Sequence, residues 1–93
     1  MSILTLGIIG GGQLGILLLQ AAKKLNIETA ILTDDANAPA KNFTKNFIYG
    51  SYEDEKIIND FISKVDLITF EFENIPYKVL KNINEHKTVL PKP

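Results

Sequence analysis

Residues Gly10-Gly11-Gly12-Gln13-Leu14-Gly15 fit the spacing G-x-G-x-x-G. They stand between an apolar run, Ile3 to Ile9, and a helix-patterned run, Leu14 to Leu25. A parallel strand that feeds a helix through glycines points backbone N–H groups outward at the helix N-terminus. With the helix dipole, those groups attract anions such as phosphate. Glycine permits positive φ and lets a ligand approach the backbone closely. The alternative is a tight strand-to-helix turn that holds nothing.

A second candidate group is Glu71-Phe72-Glu73-Asn74. In a strand, Glu71 and Glu73 share one face and Phe72 takes the other. Carboxylates at a strand end near an anion-binding turn can accept hydrogen bonds from sugar hydroxyls or an amine. Glu73 lies further from the sheet and is the stronger candidate, with Glu71 secondary. Asn74 reads as a cap for the next helix or as a further ligand contact. An acid–base pair is disfavoured, because no nucleophile or metal ligand stands beside them. Asp34 follows Gly15 by 19 residues (34 minus 15), where a dinucleotide-binding fold keeps its ribose-binding acid. Next to Asp35 it reads instead as a turn residue. His86, in a polar stretch with Glu85 and Lys87, reads as solvated. Tyr49 and Tyr52 read as core-edge residues rather than stacking platforms.

Positioning these groups requires alternating strands and helices. Ile3–Ile9 reads as a parallel strand covered on both faces. Leu14, Leu17, Leu18, Ala21, Ala22 and Leu25 repeat at helical spacing. Lys23 and Lys24 come late, where cations suit the dipole, and Asn26 is a C-cap candidate. Glu28–Leu32 is a second strand, 33–45 a loop, and Phe47–Tyr49 a third strand. A helix over Tyr52–Lys64 carries Ile57, Ile58, Phe61 and Ile62 on one face. Asp66–Phe72 is a fourth strand. Pro76 suits the first turn of a helix continued by Val79, Leu80 and Ile83. Thr88–Leu90 is a short fifth strand. The pattern predicts an α/β, Rossmann-like fold: a parallel sheet of about five strands, order 3-2-1-4-5, with helices on both faces. The switch point between strands one and four then collects both the glycine turn and Glu71–Asn74.

Composition bounds the function. The chain has 93 residues, one domain's worth, with 45% apolar and 23% charged residues and a net charge of -1. Nothing argues for nucleic acid or a membrane surface as partner. All ten basic residues are lysine, so no bidentate guanidinium fork is available. With no cysteine, disulfides, thiol nucleophiles and cysteine-based metal sites are excluded. The start reads as a first strand rather than a signal peptide, and no apolar run approaches the roughly 20 residues that span a bilayer. A cytoplasmic protein is the default expectation.

The stretches Gly7–Gly15 and Thr69–Ile75, with Ser51-Tyr52-Glu53-Asp54, together resemble the N-terminal, pre-ATP-grasp domain of the 5-(carboxyamino)imidazole ribonucleotide synthases. The resemblance covers essentially all 93 residues. It implies a ligase of the ATP-grasp superfamily, which couples ATP and bicarbonate to carboxylation of the amine of aminoimidazole ribonucleotide through carboxyphosphate, in purine biosynthesis. It implies that Gly12, Gln13 and Leu14 in the glycine turn and Glu73 in the second motif contact the ribonucleotide. It places the ATP and Mg²⁺ sites in later domains. The chain departs from the family pattern at Ile16-Leu17, where Arg-Met is usual, at Thr33-Asp34 in place of Asp-Pro, and at Thr44-Lys45 in place of Ala-Asp. Residues 1–93 are thus expected to form the pre-ATP-grasp domain alone, without ligase activity. Its partners are expected to be the ribonucleotide, an ATP-grasp domain in cis or in trans, and a second copy in a homodimer. Two other classes stay open at this point: an NAD(P)-binding module leaning on Asp34, and a non-catalytic remnant or interaction domain.

Overall fold

A computed structural model of the chain describes residues 4–70 and 75–90. Among these, the strands are β1 (Thr5–Ile9), β2 (Glu28–Thr33), β3 (Phe47–Tyr49) and β4 (Leu67–Phe70). The helices are α1 (Gln13–Lys24), α2 (Glu55–Ser63) and α3 (Tyr77–Asn84), with a 3₁₀ turn over Pro39–Phe43. The strands pair in parallel in the order β3-β2-β1-β4.

Strand alternation sorts the apolar residues into two cores. On one face Ile9, Ala30, Leu32 and Ile68 pack with Ile58 and Phe61 of α2 and with Leu80 and Ile83 of α3. On the other, Ile8 and Ile31 pack with Leu19 of α1 and Ala40 of the 3₁₀ turn. β1 is flanked by strands on both edges and covered on both faces, which is why it is apolar nearly throughout. Its last three residues, Gly7, Ile8 and Ile9, are buried. Gly7 is small by necessity, since a Cβ there would lie 2.7 Å from Phe61 Cζ and 2.9 Å from Val65 Cγ1.

Local capping sets the ends. Asn26 adopts φ 58°, and its N–H and that of Ile27 bond back to Lys23 O (3.1 Å) and Ala22 O (2.9 Å). This pair of bonds closes α1, so Asn26 lies one position beyond the cap, at Leu25. The second helix starts at Glu55, later than the expected Tyr52, because Ser51 and Asp54 take the backbone donors first. Ser51 Oγ accepts from Glu53 N (3.1 Å), and Asp54 Oδ1 accepts from Lys56 N (3.0 Å) and Ile57 N (3.4 Å). The 3₁₀ turn falls inside the segment expected to be loop. The expected fifth strand shrinks to a single bridge, Val89 beside Ile68, held by Ile68 N to Thr88 O (3.0 Å) and Leu90 N to Ile68 O (2.8 Å). It lies against β4 on the expected side, and Pro91 has no N–H with which to continue a ladder.

Gly7→Ala is expected to lower unfolding free energy by about 1–3 kcal/mol, the usual cost of overpacking a filled core. Urea denaturation checks this: the midpoint should fall with no change in slope.

Candidate ligand cleft at the glycine turn

The ends of β1 and β2 define a cleft of about 700 Å³. Its floor is the glycine turn. Gly10 takes φ 108°, a conformation that a side chain strains, and its N–H reaches Leu32 O at 2.8 Å. Gly11 is buried, and a Cβ there would lie 2.6 Å from Ala38 Cβ. Gly12 caps α1 with extended backbone, and Ile16 N closes the first turn onto Gly12 O at 3.1 Å. Gly11, Gly12 and Gln13 all line the cleft. No side chain caps α1, and its first turn carries no acid. The N–H groups of Gln13 and Leu14 find no acceptor within the helix, as in any first turn.

The segment that follows β2 forms one wall, with Thr33, Asp34, Asp35, Ala38 and Pro39 facing the cleft. Thr33 is buried, and its Oγ1 accepts from Asp35 N (3.2 Å). Asp35 Oδ1 accepts from Asn37 N (2.9 Å), and Asp35 O accepts from Ala38 N (3.1 Å). Ala40 N then bonds to Gly11 O (2.9 Å), which ties this wall to the glycine turn. Tyr52 and Ile75 complete the lining.

The sequence-derived candidates divide clearly. Gln13 and Gly12 stand at the cleft; Leu14 is the next helical residue, with an exposed side chain that is not part of the lining. Asp34 also stands at the cleft, although the turn it was assigned to is held by the Asp35 side chain instead. Tyr52 is both core-edge, packing against the larger core, and part of the cleft, whereas Tyr49 is exposed. His86 is exposed, as expected. Glu71, Glu73 and Asn74 lie outside the described residues; Ile75, just after them, reaches the cleft. Ala38 and Pro39 were not foreseen as cleft residues. The signal was there in Pro39, which suits the start of a helical turn packed over the glycines.

Among the described residues no group of three His, Cys, Asp or Glu side chains is placed to hold a metal ion. No described helix is long and apolar enough to cross a membrane.

The Gly11–Ala38 contact yields a two-variant test. Gly11→Ala should destabilise the chain, and adding Ala38→Gly should recover about 1 kcal/mol or more of that loss through direct coupling. Thermal unfolding of the two single variants and the double variant checks this; additive losses would contradict the packing described.

Comparison with known proteins places this geometry. The model of the ribonucleotide synthetase pre-ATP-grasp domain matches residues 3–93. The N5-carboxyaminoimidazole ribonucleotide synthase of Brucella melitensis is 42% identical over 89 residues, covering 96% of this chain and 25% of the relative. The crystal structure of the Staphylococcus aureus N5-carboxyaminoimidazole synthetase has a TM-score of 0.85 at 38% identity, over 96% of this chain and 24% of that one. The Aspergillus clavatus N5-carboxyaminoimidazole synthase, in complex with ADP and 5-aminoimidazole ribonucleotide, has a TM-score of 0.76 at 28% identity, over 94% of this chain and 23% of that one. The chain therefore spans about a quarter of the length of these relatives. A parallel sheet in the order 3-2-1-4, a glycine turn opening α1 and a match along nearly the whole sequence agree, and the chain belongs to the ribonucleotide synthetase pre-ATP-grasp domain family.

Proposed function

We propose that this domain supplies the ribonucleotide-binding face of an ATP-dependent ligase, one that carboxylates aminoimidazole ribonucleotide with bicarbonate in purine biosynthesis, in the cytoplasm. The observation that carries the reading is the cleft itself. It is floored by the glycine turn at an uncapped helix start, in a chain whose relative from Aspergillus clavatus was crystallised with 5-aminoimidazole ribonucleotide.

In this reading the backbone of Gly12, Gln13 and Leu14 donates to the ribonucleotide. Glu73 accepts from it across the switch point between β1 and β4, with Glu71 and Asn74 as secondary contacts. In the same reading ATP and Mg²⁺ are held by the later domains of the enzyme, as the family resemblance implies. Residues 1–93 then form the pre-ATP-grasp domain, and the ATP-grasp and C-terminal domains act on it in cis or in trans. This domain orients the acceptor amine, and the phosphoryl chemistry belongs to the rest of the enzyme. Leu17 and Leu25 project from α1 into solvent, 61% and 70% exposed, so self-association through this helix also belongs to the proposal.

Saturation-transfer NMR with aminoimidazole ribonucleotide, NAD and ATP tests the site. Signal from the ribonucleotide alone is expected; a stronger response from NAD would move the assignment to a dinucleotide module resting on Asp34. Glu73→Ala should weaken ribonucleotide binding by about 1–3 kcal/mol, the scale of a charge-assisted hydrogen bond. Its unfolding midpoint should stay near that of the parent chain. The pure chain should release no ADP in response to ribonucleotide and bicarbonate, and turnover by the 93-residue protein would refute the division of labour. Sedimentation equilibrium checks self-association: Leu17→Glu should shift the chain toward monomer, and a parent chain that is already monomeric at high concentration would remove this part of the reading.

A further inference from the structure

The cleft at the glycine turn has an apolar side as well as a polar one. Ala38, Pro39 and Ile75 line it, and Tyr52 is the one aromatic residue in the described lining. Tyr52 and Ile75 also pack against the larger core, so this wall is the edge of that core where it reaches the cleft. Tyr52 is half-buried there, whereas Tyr49 is exposed and takes no part in the lining. A core-edge tyrosine ordinarily turns its polar tip to open water. This one borders a space of about 700 Å³, within the range of small-molecule sites.

The backbone around Tyr52 is braced on both sides. Gly50 N donates to Thr33 O (3.1 Å), which ties the segment to a residue of the cleft's other wall. Ser51 Oγ accepts from Glu53 N (3.1 Å), and Ser51 O accepts from Asp54 N (3.1 Å), so Tyr52 falls inside a closed turn ahead of α2. A ring held by core contacts and a braced turn loses little further freedom when a ligand arrives.

We infer that Tyr52 is a specificity-determining residue whose ring is the platform for the flat heteroaromatic ring of the ligand. This rests on the ribonucleotide reading above. Of the parts of a ribonucleotide, only the base has a π-face to stack. The ribose then falls to the polar residues along the glycine turn and the β2 wall. Stacking also bears on the reaction. The lone pair of an amine conjugated with an aromatic ring stands perpendicular to the ring plane. With one face of the base on Tyr52, only the other face presents that lone pair to an incoming carboxyl carbon. Tyr52 thus sets the side from which the carbon must be delivered.

The test is NMR titration of the full 93-residue chain with aminoimidazole ribonucleotide and with ribose 5-phosphate, which lacks the base. In the parent chain the imidazole protons of the bound ribonucleotide are expected to move upfield under the ring current of Tyr52, and the ribose protons much less. Tyr52→Leu should abolish that shift and weaken ribonucleotide binding about fivefold or more, the scale of one base–aromatic stack, while leaving ribose 5-phosphate unchanged. Tyr52→Phe should keep both the shift and the affinity. Imidazole protons that stay unshifted in the bound ribonucleotide overturn the inference and leave the ribonucleotide reading standing, and this holds even if Tyr52→Leu does not fold. Equal losses for both ligands in Tyr52→Leu, or the same loss in Tyr52→Phe, have the same effect. Binding of neither compound by a parent chain with a folded spectrum overturns both.

Discussion

The cleft depends on how β1 ends. β1 is flanked by β2 and β4 and covered by helices on both faces, so its chain can leave only at the C-terminal end, and must turn at once. Gly10 makes this turn with φ 108° while its N–H extends the β1–β2 ladder one residue past Ile9, to Leu32 O. Gly11 then passes beneath Ala38 with no space for a side chain, and its carbonyl accepts from Ala40 N. The same few glycines therefore aim α1, seat the wall that follows β2 and form the floor between them. A side chain at Gly11 would act on all three, because they share one contact.

This floor is stiff because of what lies beneath it. Ile8 and Ile9 are both fully buried, one toward each core, so the strand that leads into the turn is gripped from both sides. Close-packed interiors transmit small displacements rather than absorb them. Phe61, also fully buried, presses against the position where Gly7 would carry a Cβ, and so α2 and β1 sit as close as the backbone allows. Above this rigid base Asp34 is exposed, whereas Asp35 holds the wall through its bond from Asn37 N.

The elements that were legible in the sequence are those whose pattern and packing agree. β3 fell where the pattern put it, and α1 did so within one residue at each end, but the face of α1 differs: Leu19 meets the core with Ile16 and Leu18 beside it, whereas Leu14, Leu17 and Leu25 of the expected stripe are exposed. The second helix was shifted because apolar spacing says nothing about who takes the first backbone donors: Ser51 takes that of Glu53 and Asp54 that of Lys56, so the helix starts at Glu55, three residues after Tyr52. The 3₁₀ turn at Pro39–Phe43 has too few residues to show a period, and only Pro39 marks it. Thr88–Leu90 has strand-forming residues but too little length for more than one bridge. Among the site residues, the glycine turn was readable because backbone geometry demands glycine there. Asp34 and Asp35 were not separable from sequence, since two adjacent acids suit the same turn. Only the bond from Asn37 N identifies Asp35 as the one that holds it. Glu71, Glu73 and Asn74 lie outside the described residues, and their place in the site rests on the family resemblance.

The distribution of charge also explains why a domain of this kind would act with others. A ribonucleotide presents a neutral ring, hydroxyls and a phosphate, and no single environment suits all three. The described cleft offers backbone donors at α1 and carboxylate acceptors on the β2 side, but no cation. No lysine among the described residues lines it, and the sequence has no arginine. On the proposed reading, this surface holds the part of the ligand that needs orientation rather than charge neutralisation. Cationic groups on the remaining three quarters of a relative-sized enzyme would then meet the phosphate. Binding would be weak on this domain and tight only when both halves of the site close on one ligand, which couples substrate capture to domain assembly. Keeping cations out of this cleft has a second effect. On the proposed reading, a triphosphate meets no cationic side chain among the described lining residues, which would leave this side of the site to the ribonucleotide.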